Sequence, residues 1–321
     1  MQWRRIKAEI LAYGGVRPQE VPERWKDRST AGPGARGPGS FFFATDNGRV
    51  RVAVDDDSRL SLNVADDGSA VITGPGLRVE GWLEEPALHC PRQAYITLSE
   101  GCIFGCRYCA VPEGPCRYKT PDDVEALILS VLDRIDAVSI TSGVLDSVEA
   151  DEARAFAVVS RVMQFGKPVG VSIYPTTETP RRLHELGVSE VKFNVETATA
   201  ELFAEMCPGL DYDLVWEVLA ASVPLFGKNR VYSNVILGLG ETDEEMTACI
   251  RRLTGMGVIP VVRPLTPSRG VAHLPRPDAD RILRTAEVLR GALSTAGLDP
   301  AQALTMCSAC TGCDLVPGVD L

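Results

Sequence analysis

From residue 92 onward the chain alternates β-rich segments with helical stretches, and few architectures accept that pattern. Residues 94–98, 137–141, 168–174, 190–195, 231–237 and 259–264 form six β-rich segments, with helical stretches such as 121–134 and 151–164 between them. Strands joined by helical crossovers pair in parallel, and six such units suit an open, partial (β/α)6 barrel. In barrels of parallel strands the functional residues gather at the C-terminal strand ends. The informative residues sit there. A cysteine-rich loop follows the first strand and Thr141-Ser142-Gly143 the second. Asn194-Val195-Glu196-Thr197 ends the fourth, Gly238-Leu239-Gly240-Glu241 the fifth and Arg263-Pro264-Leu265 the sixth.

The part before residue 92 reads differently. Residues 1–30 mix apolar and charged positions and contain a short helix. Residues 31–40, AGPGARGPGS, are dense in glycine and proline and read as a linker. Residues 41–85 are short strands, with Asp-Asn-Gly at 46–48 and Asp-Asp-Gly at 66–68 as hairpin signals. They form a small antiparallel β-module. The expected division is therefore 1–85 (helix, linker and β-module), 86–296 (barrel) and 297–321 (a cysteine-bearing tail). With 321 residues, 45% of them hydrophobic, the chain can bury a large core. No apolar run approaches the ~18 residues of a membrane span. The basic N-terminus MQWRRIK is not followed by an apolar stretch, so a signal peptide is not expected. A net charge of −10 without a basic run argues against broad nucleic-acid binding. It leaves a small molecule or a locally basic protein as partner.

Six of the ten cysteines fall in two tight triplets, which suits metal binding in a reducing cytoplasm better than disulfides. The first is Cys102-Ile-Phe-Gly-Cys106-Arg-Tyr-Cys109, a C-x3-C-x2-C. Iron–sulfur clusters are normally held by four thiolates, so three suggest a four-iron cluster with one iron open to another ligand. Zinc would accept the same set, but structural zinc sites are closed by four ligands, and none completes this one at finger spacing. A redox dithiol needs only Cys106 and Cys109 and leaves Cys102 unexplained.

This spacing, directly after a β-strand, resembles the radical S-adenosylmethionine (SAM) superfamily. The resemblance implies a TIM-type partial (β/α)6 barrel and a [4Fe-4S] cluster on Cys102, Cys106 and Cys109. The amino and carboxylate groups of SAM would chelate the open iron, and reductive cleavage would give a 5′-deoxyadenosyl radical. It places Tyr108 near the adenine, a position where simple packing is the competing role. Thr141, Ser142 and Gly143 occupy the segment whose backbone contacts the SAM amino group. They depart from the usual Gly-Gly-Glu and are closer to the Thr-Ser of lipoyl-synthase-like members. Asn194 and Glu196, in Phe193-Asn194-Val195-Glu196-Thr197, are similar to the biotin and lipoyl synthase branch, with Glu196 accepting hydrogen bonds from SAM. Gly238, Gly240 and Glu241 match the same branch, the glycines letting backbone approach the adenine. Glu241 alternatively starts a helix and complements its dipole. Loop 265–270 reads as a substrate-holding segment, with Arg263 or Arg269 pairing a carboxylate or forming a structural ion pair.

The second triplet, Cys307-Ser-Ala-Cys310-Thr-Gly-Cys313, resembles the three-ligand run of ferredoxin-type clusters. It reads as an auxiliary [4Fe-4S] site, with a zinc site or redox tail as alternatives. Its fourth ligand is open among Cys90, Cys116, a non-cysteine side chain and the substrate. Cys207 and Cys249 read as buried apolar fillers. Ordinary lipoyl synthases carry auxiliary cysteines before the radical triplet, so a C-terminal triplet fits the two-protein lipoyl synthases better. That resemblance implies sulfur insertion into an octanoyl chain on a lipoyl carrier protein. It also implies a second radical SAM subunit and an electron donor such as ferredoxin or flavodoxin; charge and apolar-run length argue separately against nucleic acid and membrane as partners. The alternative is a maturase of a peptide or cofactor precursor whose auxiliary cluster is not consumed, the β-module docking the substrate. An electron carrier without SAM chemistry is the third reading.

Overall fold

The computed structural model describes residues 2–25, 39–113 and 116–321. Most of the expected linker, residues 31–38, lies outside the described residues, and Ser40 already belongs to a strand. Helix α1 (Trp3–Tyr13) ends at Gly14, whose φ of 81° suits a residue without Cβ. Six strands then form a closed barrel: β1 (Gly15–Glu20), β2 (Ser40–Thr45), β3 (Gly48–Val54), β4 (Ser61–Val64), β5 (Ser69–Gly74) and β6 (Leu77–Glu84). Their order around the barrel is β1-β3-β2-β6-β5-β4.

The expected antiparallel module from residue 41 is thus corrected to a closed barrel. Its extra strand, β1, runs parallel to both β3 and β4. Sequence pattern hides β1, because Gly-Val-Arg-Pro-Gln-Glu carries a proline and buries only its first two residues. Strand β2 is apolar on both faces. Phe41 and Phe43 enter the main core, while Phe42 packs outward against Cys90 and Cys310.

The second sheet has seven strands in the order β13-β12-β11-β10-β9-β8-β7. They are β7 (His89–Cys90), β8 (Gln93–Thr97), β9 (Ala137–Thr141), β10 (Val169–Ser172), β11 (Glu190–Lys192), β12 (Val231–Leu237) and β13 (Ile259–Pro264). Strands β8 to β13 are all parallel, and β7 folds back antiparallel on β8. Helices α2 (Pro121–Leu129), α3 (Val148–Val162), α4 (Thr179–Glu185), α5 (Ala200–Met206), α6 (Tyr212–Phe226) and α7 (Asp243–Gly255) connect them, and α8 (Ala279–Ala296) follows β13. The result is the partial (β/α)6 barrel. Among the described residues no helix is long and apolar enough to cross a membrane.

The tail occupies the inside of this half-barrel. Its short helix α9 (Met306–Cys310) is reached through Leu304 and Thr305, whose amides both donate to the buried Glu190 carboxylate at 2.9 Å. The Thr305 hydroxyl adds a third bond at 2.6 Å. Gly170 leaves room for it: a Cβ there would lie 2.1 Å from Thr305 Oγ1. The Met306 amide donates to Ser139 Oγ at 2.9 Å, and Gln93 Nε2 donates to the Met306 carbonyl at 3.2 Å. From the other side the small barrel and α1 close over the tail. The Arg51 amide donates to Gly312 O at 2.8 Å. Lys7, fully buried, donates to Thr311 O and pairs with the fully buried Asp320 at 2.7 Å. Removing either member of such a pair strands a buried charge, a loss of about 3–5 kcal/mol. The N-terminal barrel is therefore a wall for the tail.

Candidate active site

A cavity of about 540 Å³ lies between the half-barrel, the small barrel and the tail. Cys102 and Cys109 line it, and so do Cys307, Cys310 and Cys313. The two sequence motifs, some 200 residues apart, open onto one space.

The first triplet rides on the loop after β8. The Cys109 amide donates to Cys106 O at 3.1 Å, and the Val144 amide approaches Cys102 Sγ at 3.5 Å. Loop 265–270 clamps this loop. Gly270 N donates to Arg107 O at 3.1 Å, Ser268 Oγ donates to Tyr108 O at 3.2 Å, and Arg269 donates to Cys109 O. The segment expected to hold substrate thus spends much of its polarity on the cysteine loop. Cys106 turns into an apolar cluster with Phe203, Met206 and Cys207, and its thiol pairs with that of Cys207. Tyr108 OH lies 3.5 Å from Cys207 Sγ, so Cys207 does more than fill space. Burial raises the Cys102 and Cys109 thiols, the latter to about 11. For Cys106 the Cys207 contact is the leading cause and burial the next. Ligation would release these protons.

The strand-end residues divide into two groups. Tyr108, Thr141, Ser142, Gly143, Asn194 and Glu196 all reach the cavity wall. The Gly143 amide is already given to Ser99 Oγ at 2.7 Å, and a Cβ there would sit 3.1 Å from Cys102 Cβ. Gly143 therefore lets β9 pass close beneath the cysteine loop. Glu196 holds φ 58°, and burial pushes its carboxyl up to about 7 against the opposing pull of Lys192, Asn194 and Arg263. Asn234, also on the wall, keeps a buried Oδ1 with no hydrogen-bond partner.

Gly238, Gly240 and Glu241 do not line this cavity. The Glu241 carboxylate accepts from the amides of Gly238 (2.7 Å) and Leu239 (2.8 Å) and pairs with Arg281 at 2.9 Å. Its expected place in a first helical turn is also corrected. Helix α7 starts at Asp243 with Thr242 as N-cap in a capping box with Glu245, so Glu241 lies before the cap. It braces the turn that the two glycines make.

Strand β11 and its extension link the two ends of the cavity. Side chains alternate across an extended strand, and Val191, Phe193 and Val195 enter the core while Glu190, Lys192, Asn194 and Glu196 face inward. Glu190 anchors the tail. Lys192, only 3% exposed, donates to Cys307 Sγ at 3.4 Å. Burial works against its charge, yet Cys307 and Tyr95 raise it on balance. Arg263 on β13 lies in the field of Cys313, Cys307 and Asp314, and its basicity is raised despite burial. Asp314 carries a buried Oδ1 without a partner, and burial pushes it up to about 6. Four residues of extended chain put the Lys192 level roughly 13 Å from the Glu196 level.

Among the described residues no three His, Cys, Asp or Glu side chains are drawn together at metal-binding spacing. The first triplet nevertheless fits the cluster and SAM. Three thiols share one clamped loop, two of them on the wall, beside the Glu196 carboxyl and the unpartnered Asn234 acceptor.

Residues 96–253 match the model of the radical SAM superfamily. The chain belongs to that superfamily. Within it the chain is similar to lipoyl synthases. It is 28% identical to the lipoyl synthase of Methylococcus capsulatus over 62% of this chain and 69% of that protein. It is 27% identical to that of Picrophilus torridus (53% and 64%), and 29% identical to the chloroplastic lipoyl synthase of Sorghum bicolor (51% and 46%). The chain thus spans between about half and two thirds of these relatives' lengths. Two of the solved structures that share the fold illustrate it. They are the FeFe-hydrogenase maturase HydG from Carboxydothermus hydrogenoformans and Streptococcus suis SuiB bound to its precursor peptide SuiA. The first has TM-score 0.51 and 16% identity, covering 64% of this chain and 52% of that one. The second has TM-score 0.54 and 14% identity, covering 65% and 48%.

Proposed function

We propose that this radical SAM enzyme is a sulfurtransferase that inserts sulfur into an unactivated C–H bond of an octanoyl chain on a lipoyl carrier protein. It would act beside a second radical SAM subunit and a ferredoxin- or flavodoxin-type donor in the cytoplasm. The observation that carries the reading is the shared cavity: Cys102 and Cys109 of the first triplet and all three cysteines of the second line one space. When bound, SAM and its cluster supply the hydrogen-abstracting radical, and a tail cluster supplies the sulfur.

The chain's own residues do the rest. Cys102, Cys106 and Cys109 hold the first cluster, and Cys307, Cys310 and Cys313 hold the second. Glu196, Asn194 and Asn234 present acceptors toward the donors of SAM. Lys192 and Arg263 offset the negative charge of sulfur ligands in a buried setting. Ile10, Leu11 and Val54 give the wall an apolar stretch for an acyl chain, and the small barrel keeps water from the reacting carbon. The functional division is 1–85 as this wall, 86–296 as the catalytic barrel and 297–321 as the sulfur-bearing tail.

The test is anaerobic turnover with octanoylated carrier, recounting sulfide afterwards. Loss of tail sulfide with about one turnover supports the reading. Many turnovers with sulfide intact would transfer the chain to the maturase class.

A further inference from the structure

We propose that Cys90 is the fourth ligand of the tail cluster, so that Cys90, Cys307, Cys310 and Cys313 form a closed four-cysteine site. This rests on the reading that the tail holds a cluster, and it resolves a choice that sequence spacing leaves open.

Placement is the first support. Cys90 sits on β7, directly paired with Gln93 of β8, and the Gln93 side chain holds the Met306 carbonyl. One residue therefore fixes both the register of Cys90 and the start of the triplet helix. Cys90 is 0% exposed and shares the Phe42 contact with Cys310. The two thiols pack in one buried cluster, with Cys307 and Cys313 in the electrostatic reach of Cys90. All four line the cavity, whereas Cys116 is exposed and absent from the wall.

Backbone conformation is the second support. His89 (φ 72°), Met306 (57°) and Thr311 (57°) adopt the left-handed region without being glycine. They adjoin Cys90, Cys307 and Cys310 respectively. Such conformations are costly, and they persist where the surroundings over-determine a functional geometry. Here they flank the two segments whose Cys90 and Cys310 come into contact.

Charge is the third. Four thiolates around an oxidised four-iron core leave a net charge of about −2. Lys192 and Arg263 are set against Cys307 and Cys313, and Arg49 and Arg51 act on Cys310, so positive charge surrounds the four cysteines.

The test uses the full chain with Cys102, Cys106 and Cys109 replaced by alanine, so that only the tail loads. Iron, sulfide and the electron paramagnetic resonance (EPR) spectrum are read after anaerobic reconstitution, with and without a further Cys90→Ala or Cys116→Ala change. The proposal expects about four irons in the background and with Cys116→Ala. Cys90→Ala should fall to a three-iron signal or lose iron ~10–100-fold faster to a chelator. Four irons and an unchanged spectrum in Cys90→Ala would overturn it, as would a Cys90–Cys310 disulfide in the loaded protein. Cys90→Ser guards against a folding defect, because an oxygen donor of similar volume shifts the EPR signal only if position 90 is a ligand. No iron in the background itself would defeat the tail-cluster reading, and this inference with it.

Discussion

The two cysteine triplets have nearly the same spacing and opposite surroundings. The first sits on an irregular loop beside Ile103, which is 57% exposed, and its backbone carbonyls are held by one amide and two side chains of loop 265–270. The second is enclosed between the half-barrel and the small barrel, pinned by Glu190, Ser139 and Gln93 and faced by a buried lysine. A site that must admit and release SAM needs the first arrangement. A site that keeps its contents from water and from premature reduction needs the second.

The comparison breaks most decisively at the first triplet. Replacing Cys102, Cys106 and Cys109 by alanine should abolish deoxyadenosine formation, measured by chromatography, while the tail still loads iron. Replacing Cys307, Cys310 and Cys313 should lower iron from about eight to about four per chain. Deoxyadenosine should then persist without any sulfur-containing product. Lys192→Met probes the enclosure itself. It should weaken retention of the tail cluster ~10–100-fold and lower its reduction potential, leaving the first cluster's spectrum unchanged.

Glu241→Gln should cost about 2 kcal/mol of stability in denaturant unfolding, because two amides and Arg281 lose a charged acceptor. The KM for SAM should stay unchanged. A raised KM would restore Glu241 to the cofactor site. The smallest effect concerns Glu196. Its folded value near 7 lies above the usual 4.5, so its contribution is fully present below pH 4.5 and lost as pH rises through 7. Metal-free Glu196→Gln protein should lose roughly 2–4 °C less of its melting temperature than wild type between pH 5 and 8.

Much of this was legible in the chain. Six parallel strands and both triplets follow from alternation and spacing, because a buried parallel strand reads as an apolar run wherever it occurs. Glu190, Lys192, Asn194 and Glu196 carried a signal too: polar residues at period two inside an otherwise apolar strand. Such a pattern marks a face that borders a cavity. Strand β1 carried none, because it contains a proline and buries only its first two residues. Cys90 could not be chosen over Cys116, since spacing brackets the first triplet equally with both. The brace of Gly238 to Glu241 was not legible, because glycines that admit a ligand and glycines that turn around a carboxylate look alike in sequence.

The most direct test of the central claim is to follow the sulfur. The enzyme is reconstituted with heavy-isotope sulfide, freed of excess, and given SAM, reductant and octanoylated carrier for a single turnover, and the product is weighed by mass spectrometry. Heavy sulfur in the acyl chain, matched by an equal loss of sulfide from the tail, is the predicted result. Deoxyadenosine formed with the acyl chain unsulfurated and the tail sulfide intact would contradict the account.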